Sequence, residues 1–216
     1  MLARWLAVFG IILLPVFVQA QTRTLAVYAE DSDRLDAVAT NALQVELQRV
    51  MAPAGIDIAI RGVQRSGEEF QLLVVGSFDG NCSVDRQLPL THTISLHSAP
   101  LADTSISGGH VLPYFRVDCN RVIETLAPAL RPLTVSLRNE TLGRALARVM
   151  AHEIYHIVAQ TVDHQESGIA KAALSMKDLT ATQFDLNPAS LHRMQPITGP
   201  AVPGLPKSAL AAVRAR

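Results

Sequence analysis

Five consecutive residues, His152-Glu153-Ile154-Tyr155-His156, carry two imidazoles four positions apart with a carboxylate next to the first. On a helix, positions four apart lie one turn above each other on the same face, so both rings can offer a nitrogen to one point. That makes two-thirds of a zinc site. Glu153 adjoins this point without being needed to bind the ion, which is where a carboxylate must stand to take a proton from water activated by the metal. His164, eight residues beyond His156, can supply a third protein ligand from the segment after the helix. Three protein ligands leave the fourth position to water, as catalytic rather than structural zinc requires. The pair of histidines can also arise by chance on an amphipathic helix, where each is simply hydrogen-bonded. The long helical run around the motif and the third histidine at short range weigh toward a metal. Asp163 or Glu166 could stand in for His164 as third ligand, and the spacing leaves that open.

The pattern His152-Glu153-x-x-His156, then His164-x-x-x-Gly168-Ile169, resembles the secreted bacterial metalloprotease-like proteins related to the metzincins. The resemblance is confined to about residues 152–170. It implies a zincin-like α+β domain, zinc on His152, His156 and His164, and Glu153 as general base. Two positions depart from the metzincin pattern. Ala159 stands where that pattern has a glycine, and the third histidine comes two residues later than usual. Ala170 stands where a methionine follows Gly-Ile; Met176 is the nearest substitute, but Ser175-Met176-Lys177-Asp178 reads as a capped helix start.

The elements that must position these residues follow from periodicity. The site helix is expected to begin near Asn139, with Glu140 in its first turn, where negative charge is favoured. Leu142, Ala145, Leu146, Val149 and Met150 then lead into the motif at helical spacing, so the helix should be largely buried. No glycine precedes Gly168, so the turn returning His164 to the helix must be made without the most permissive residue. Upstream, Thr24 to Ala29 reads as a strand, and Asp31, Ser32 and Asp33 offer caps to a helix running to about Met51. Leu35, Val38, Ala42 and Val45 mark one face of that helix, widened by Leu43, Leu47 and Val50. Ile56, Ile58 and Ile60 alternate as in a half-buried strand, and Leu72 to Val75 is apolar throughout, as in a central one. Thr91 to His97 reads as an edge strand and Ser105 to Gly109 as a loop. Tyr114 to Val117 resumes strand character, with Pro113 keeping it at an edge or a strand start. A short helix is expected over Asn120 to Leu126, with Pro128 and Pro132 marking a connector. Asn187-Pro188 should cap a last helix ending near Met194. The predicted fold is α+β: a single domain whose twisted mixed sheet carries an N-terminal helix and a buried His-Glu-x-x-His helix.

The compartment is read from the N-terminus. Met1 to Ala20 has one charge, Arg4, before an apolar run from Trp5 to Val18, and Val18-Gln19-Ala20 fits a signal-peptidase cut after Ala20. The run is short for a membrane span of about 20 residues. Residues 21–195 then form the domain, and 196–216, with Pro200, Pro203 and Pro206, a proline-rich tail. In an exported protein Cys82 and Cys119 should pair, closing a loop worth about 4 kcal/mol in the chain-entropy picture. With 19 basic and 19 acidic residues and no charged run, nothing points to nucleic acid or an anionic membrane as partner. His92, His97, His110 and His192 lack ligand spacing. Tyr155 falls off the histidine face and is read as core.

The expectation is a secreted or periplasmic zinc metallopeptidase acting on a peptide or protein substrate. The alternative is an exported, non-catalytic protein that keeps the ion as a structural element.

Overall fold

Residues 22–30, 34–62, 70–84 and 100–195 are described by a computed structural model. The chain runs β1 (Arg23–Glu30), α1 (Ala37–Met51), a 3-10 turn over Ala52–Ala54, β2 (Ile56–Arg61), β3 (Leu72–Asp79), β4 (Ala102–Ser107) and β5 (His110–Asp118). Helices α2 (Cys119–Leu130), α3 (Val135–Ala159), α4 (Met176–Thr180) and α5 (Pro188–Met194) follow. The strands form one mixed sheet in the order β2-β1-β3-β5-β4. β1, β2, β3 and β5 are parallel, and β4 closes one edge antiparallel to β5. This is the expected α+β arrangement, with the apolar strand from Leu72 at the centre. Helices α1 and α3 pack on each other and on the sheet, α1 against β2 and α3 against β4 and β5.

The contact between the two helices is backbone to backbone. A Cβ at Gly143 of α3 would lie 2.1 Å from the Ala39 carbonyl oxygen of α1, so only glycine permits the approach. Below it, Arg148 of α3, 0% exposed, donates to Glu46 of α1 at 2.7 Å and to the Asp178 and Leu179 carbonyls of α4 at 2.7 and 3.1 Å. Burial pushes the Glu46 carboxyl up, but the hydrogen bonds and charges of Arg49 and Arg148 outweigh it and hold the group below its ordinary value. One buried ion pair thus fastens three helices.

Several boundaries differ from the sequence expectation. Helix α1 is capped by Asp36, whose side chain accepts from Val38 N–H at 2.7 Å, rather than from within 31–33, which lie outside the described residues. Two of its three valines are not core: Val38 and Val45 are 40% and 62% exposed, while Val50 is buried as expected and Ala39 and Glu46 are buried beside it. The buried stripe is otherwise apolar, Ala39, Ala42, Leu43, Leu47, Val50 and Met51, and Glu46 joins it by pairing with Arg49 and Arg148. Ser105 to Ser107 belong to β4, and only Gly108 and Gly109, both at positive φ, make the hairpin turn. β5 is an internal strand beginning at His110. Pro113 is tolerated because β3 pairs only from Tyr114 onward and the β4 ladder breaks its register between Thr104 and Ile106. Helix α2 continues through Pro128 because Leu126, Ala127 and Leu130 are buried, packing overriding local preference. Helix α3 starts at Val135 under a Thr134 cap; Val135 and Leu137 are exposed, so its first turn lacks an apolar signature.

Other features follow the reading closely. Cys82 and Cys119 form a disulfide that ties the segment after β3 to the start of α2. Ser175 and Asp178 form the expected capping box on α4, and Asn187 caps α5 with Pro188 in its first turn. Among the described residues no helix is long and apolar enough to cross a membrane. The expected leader at 1–20, the expected strand at Thr91 to His97 and the expected tail at 196–216 lie outside the described residues.

Candidate metal centre

The C-terminal half of α3 is buried by Val149, Met150, Ile154, Tyr155 and Ile157, so the helix axis is fixed before any ion is considered. On it His152 and His156 bring their Nε2 atoms to 3.1 Å from each other. Each ring is oriented from its far side: His152 Nδ1 lies 2.7 Å from the Ile169 carbonyl and His156 Nδ1 lies 2.8 Å from the Thr161 carbonyl. A carbonyl only accepts, so both Nδ1 atoms carry the proton and both Nε2 atoms present lone pairs. Two lone pairs facing at this distance repel unless a cation stands between them. Two nitrogens bound to one ion at about 2.0–2.1 Å can be this far apart. Burial foremost holds the His152 imidazolium down to about 4, and His156 is lowered for the same reason, so both rings are in the neutral form that ligates.

His164 completes the group. Its ring centroid stands 5.3 Å from that of His152 and 4.9 Å from that of His156. The three residues' ligand atoms lie within 4.8 Å of one another, and these three form the candidate metal-holding group among the described residues. His164 is exposed and carried by the loop after α3, whereas His152 and His156 stand on the helix itself.

The loop explains the unusual spacing. Helix α3 ends at Gln160, the one non-glycine at positive φ among the described residues, φ 49. Gln160 takes the left-handed conformation that usually falls to glycine at this position. Its side chain offsets part of the strain by donating to the carbonyls of Ile157 at 2.7 Å and Val111 at 3.4 Å. The helix therefore runs through Ala159 and turns only at Gln160, and His164 returns later in sequence. Beyond it, Gly168 at φ 74 makes the turn that delivers Ile169; a Cβ there would sit 2.6 Å from the Asp185 carbonyl oxygen. Ile169 N–H donates to that same carbonyl at 3.0 Å, and its own carbonyl receives His152. Gly168-Ile169 thus orients the His152 ring. Ala170, 0% exposed, occupies the position where the resemblance would put a methionine.

Glu153 is 4% exposed, and its Oε2 accepts a hydrogen bond from Thr104 Oγ1 of β4 at 2.5 Å. Burial pushes its carboxyl up to about 7, opposed by the Thr104 hydrogen bond and reinforced by Asp103. That gives a carboxyl titrating near neutrality on the residue next to His152. Thr104 was not legible in the sequence as a site residue, since only the β4 edge packing against α3 brings it there.

The remaining candidates fall elsewhere. Asp163 is engaged by Arg193, Nη1 to Oδ2 3.2 Å, and neither it nor Glu166 joins the histidine group. His110 sits at the hairpin turn and His192 on α5, apart from that group, while His92 and His97 lie outside the described residues. Tyr155 is core, 0% exposed. A scan against protein-family models finds no match, and neither do searches of curated proteins and of solved structures.

Proposed function

We propose that the chain is an exported zinc metallopeptidase of metzincin-like architecture, with His152, His156 and His164 as ligands and Glu153 as general base. The observation that carries this reading is the pair of Nε2 lone pairs 3.1 Å apart, each ring locked by a carbonyl, with a buried carboxylate on the adjoining residue. Three neutral imidazoles suit zinc, which when bound supplies a Lewis acid that acidifies water and polarises a carbonyl. Glu153 takes the proton from the attacking water as its oxygen bonds to the carbonyl carbon, and passes it to the amide nitrogen, after which the peptide C–N bond breaks. Thr104 holds one carboxylate oxygen and leaves the other for the proton. Among the described residues β4 is the last strand of the sheet, and its outer edge can pair with an extended peptide, which favours a peptide substrate. The disulfide suits an oxidising compartment, in keeping with the leader at 1–20.

A non-catalytic, zinc-holding protein is the competing reading, and Ala170 in place of methionine supports it. The buried Glu153 supports the peptidase, because a structural ion has no use for an uncoordinated carboxylate at its side. A peptide-library digest with the wild type and Glu153→Gln, with bound zinc measured on each, decides between them. The peptidase reading expects equal zinc and cleavage reduced by a factor of about 10² to 10⁴ in the variant. Zinc held by both proteins, with no cleavage by the wild type beyond that of the variant, overturns it.

A further inference from the structure

His152 and His156 are each oriented by a hydrogen bond to their own rings, but among the described residues the His164 ring shows only contacts with those two imidazoles. What fixes it must act through its neighbours. Asp163, just before it, pairs with Arg193 of α5 at 3.2 Å. Gln165, just after it, donates from Nε2 to the Tyr155 hydroxyl at 3.2 Å, and its backbone N–H donates to the Ala170 carbonyl at 2.8 Å. Tyr155 is 0% exposed, and it directly precedes His156 on α3. The two contacts hold the loop on either side of His164, Gln165 to Tyr155 of α3 and Asp163 to Arg193 of α5.

We propose that Tyr155 and Arg193 are positioning residues for His164, holding the exposed loop by both residues that flank the third imidazole. The inference rests on reading His164 as a ligand and adds what holds it there. A phenol that served packing alone would need no partner on the ligand loop, and Asp163 without Arg193 would leave the loop tethered on one side only. Groups that orient a metal's ligands typically change affinity by 10- to 100-fold when removed.

The test uses Tyr155→Phe, which keeps the buried ring, and Arg193→Gln on the protein surface, beside His164→Ala. Zinc affinity is measured by competition with a chromogenic chelator, the visible spectrum of the cobalt-loaded protein reports coordination, and urea unfolding of the metal-free protein reports the fold. The expected result is affinity weakened about 10-fold or more in Tyr155→Phe and in Arg193→Gln. Their cobalt spectra should move toward that of His164→Ala, their metal-free midpoints should stay near wild type, and Arg193→Lys should restore part of the affinity. Wild-type affinity and an unchanged spectrum in both variants overturn the positioning role. So does an affinity loss that only tracks lost metal-free stability. Should Tyr155→Phe fail to fold, Arg193→Gln decides by the same readouts. If His164→Ala binds zinc as tightly as wild type, the ligand reading itself fails, a result distinct from the other two.

Discussion

Thr104 on the edge strand and Glu153 on the site helix are joined by a 2.5 Å hydrogen bond, Oγ1 to Oε2, which ties β4 to the proposed general base. The bond favours the charged carboxylate and opposes the upward push of burial. Thr104→Val keeps the shape and removes the donor. The Glu153 carboxyl should then titrate higher, so the acidic limb of the pH profile of peptide cleavage moves to higher pH and the rate at neutrality falls several-fold. Zinc content should stay unchanged. An unmoved acidic limb would remove Thr104 from the mechanism.

Glu153 also predicts an unusual stability profile for the metal-free protein. Its folded value of about 7 lies above its ordinary value of 4.5, so the folded state prefers the protonated form. Stability from this group is therefore full below about 4.5 and is lost as pH rises toward 7, after which it levels off. Glu153→Gln mimics the neutral form and lacks this loss. In chelator-treated protein the two should have equal urea midpoints near pH 4.5, with the variant increasingly the more stable up to about pH 7. His152 acts in the other direction: its value, lowered to about 4, costs stability as pH falls from 6.5. That slope is common to both proteins and cancels in the difference. A difference that is flat with pH would show that Glu153 is not desolvated.

The buried Arg148 should be intolerant of partial removal. Arg148→Met leaves Glu46 still paired with Arg49, whereas Glu46→Ala alone leaves the buried Arg148 guanidinium without its charge partner and should cost about 3–5 kcal/mol. The double change Glu46→Leu with Arg148→Met removes both charges and should recover much of that loss, read as urea midpoints at constant slope. A double variant as unstable as the sum of the singles would mean that the arginine's hydrogen bonds to Asp178 and Leu179, rather than its charge pairing, dominate.

At the end of α3, Gln160→Gly should be tolerated, because relief of the left-handed strain, about 1 kcal/mol, offsets loss of the side-chain hydrogen bonds. Gln160→Val carries a branched side chain into the same φ and should destabilise by about 1–2 kcal/mol while weakening zinc binding through the misdirected loop. Equal stability of the two variants would refute the role assigned to this turn.

What was legible in the sequence was local. Two histidines at helical spacing, a buried run before them, caps at Ser175 and Asn187 and the apolar centre from Leu72 all express physics acting within a few residues, and each reappears in the fold. Even the pairing of Cys82 with Cys119 needed only their number and the compartment. The supports of the site were not legible, because they are contributed by backbone or by distant strands. The carbonyls of Thr161 and Ile169 are chemically identical to any others in the chain, and only the turns at Gln160 and Gly168 aim them at imidazoles. Thr104 reaches Glu153 only because β4 pairs with β5 at the sheet edge and α3 packs across both. Glu46 is buried, against its usual preference, because Arg148 and Arg49 meet it there, a match between residues as much as 102 positions apart that no short-range pattern records. Local periodicity determined which residues share a face; tertiary packing decided which faces meet, because long-range contacts depend on how the elements assemble and not on spacing along the chain.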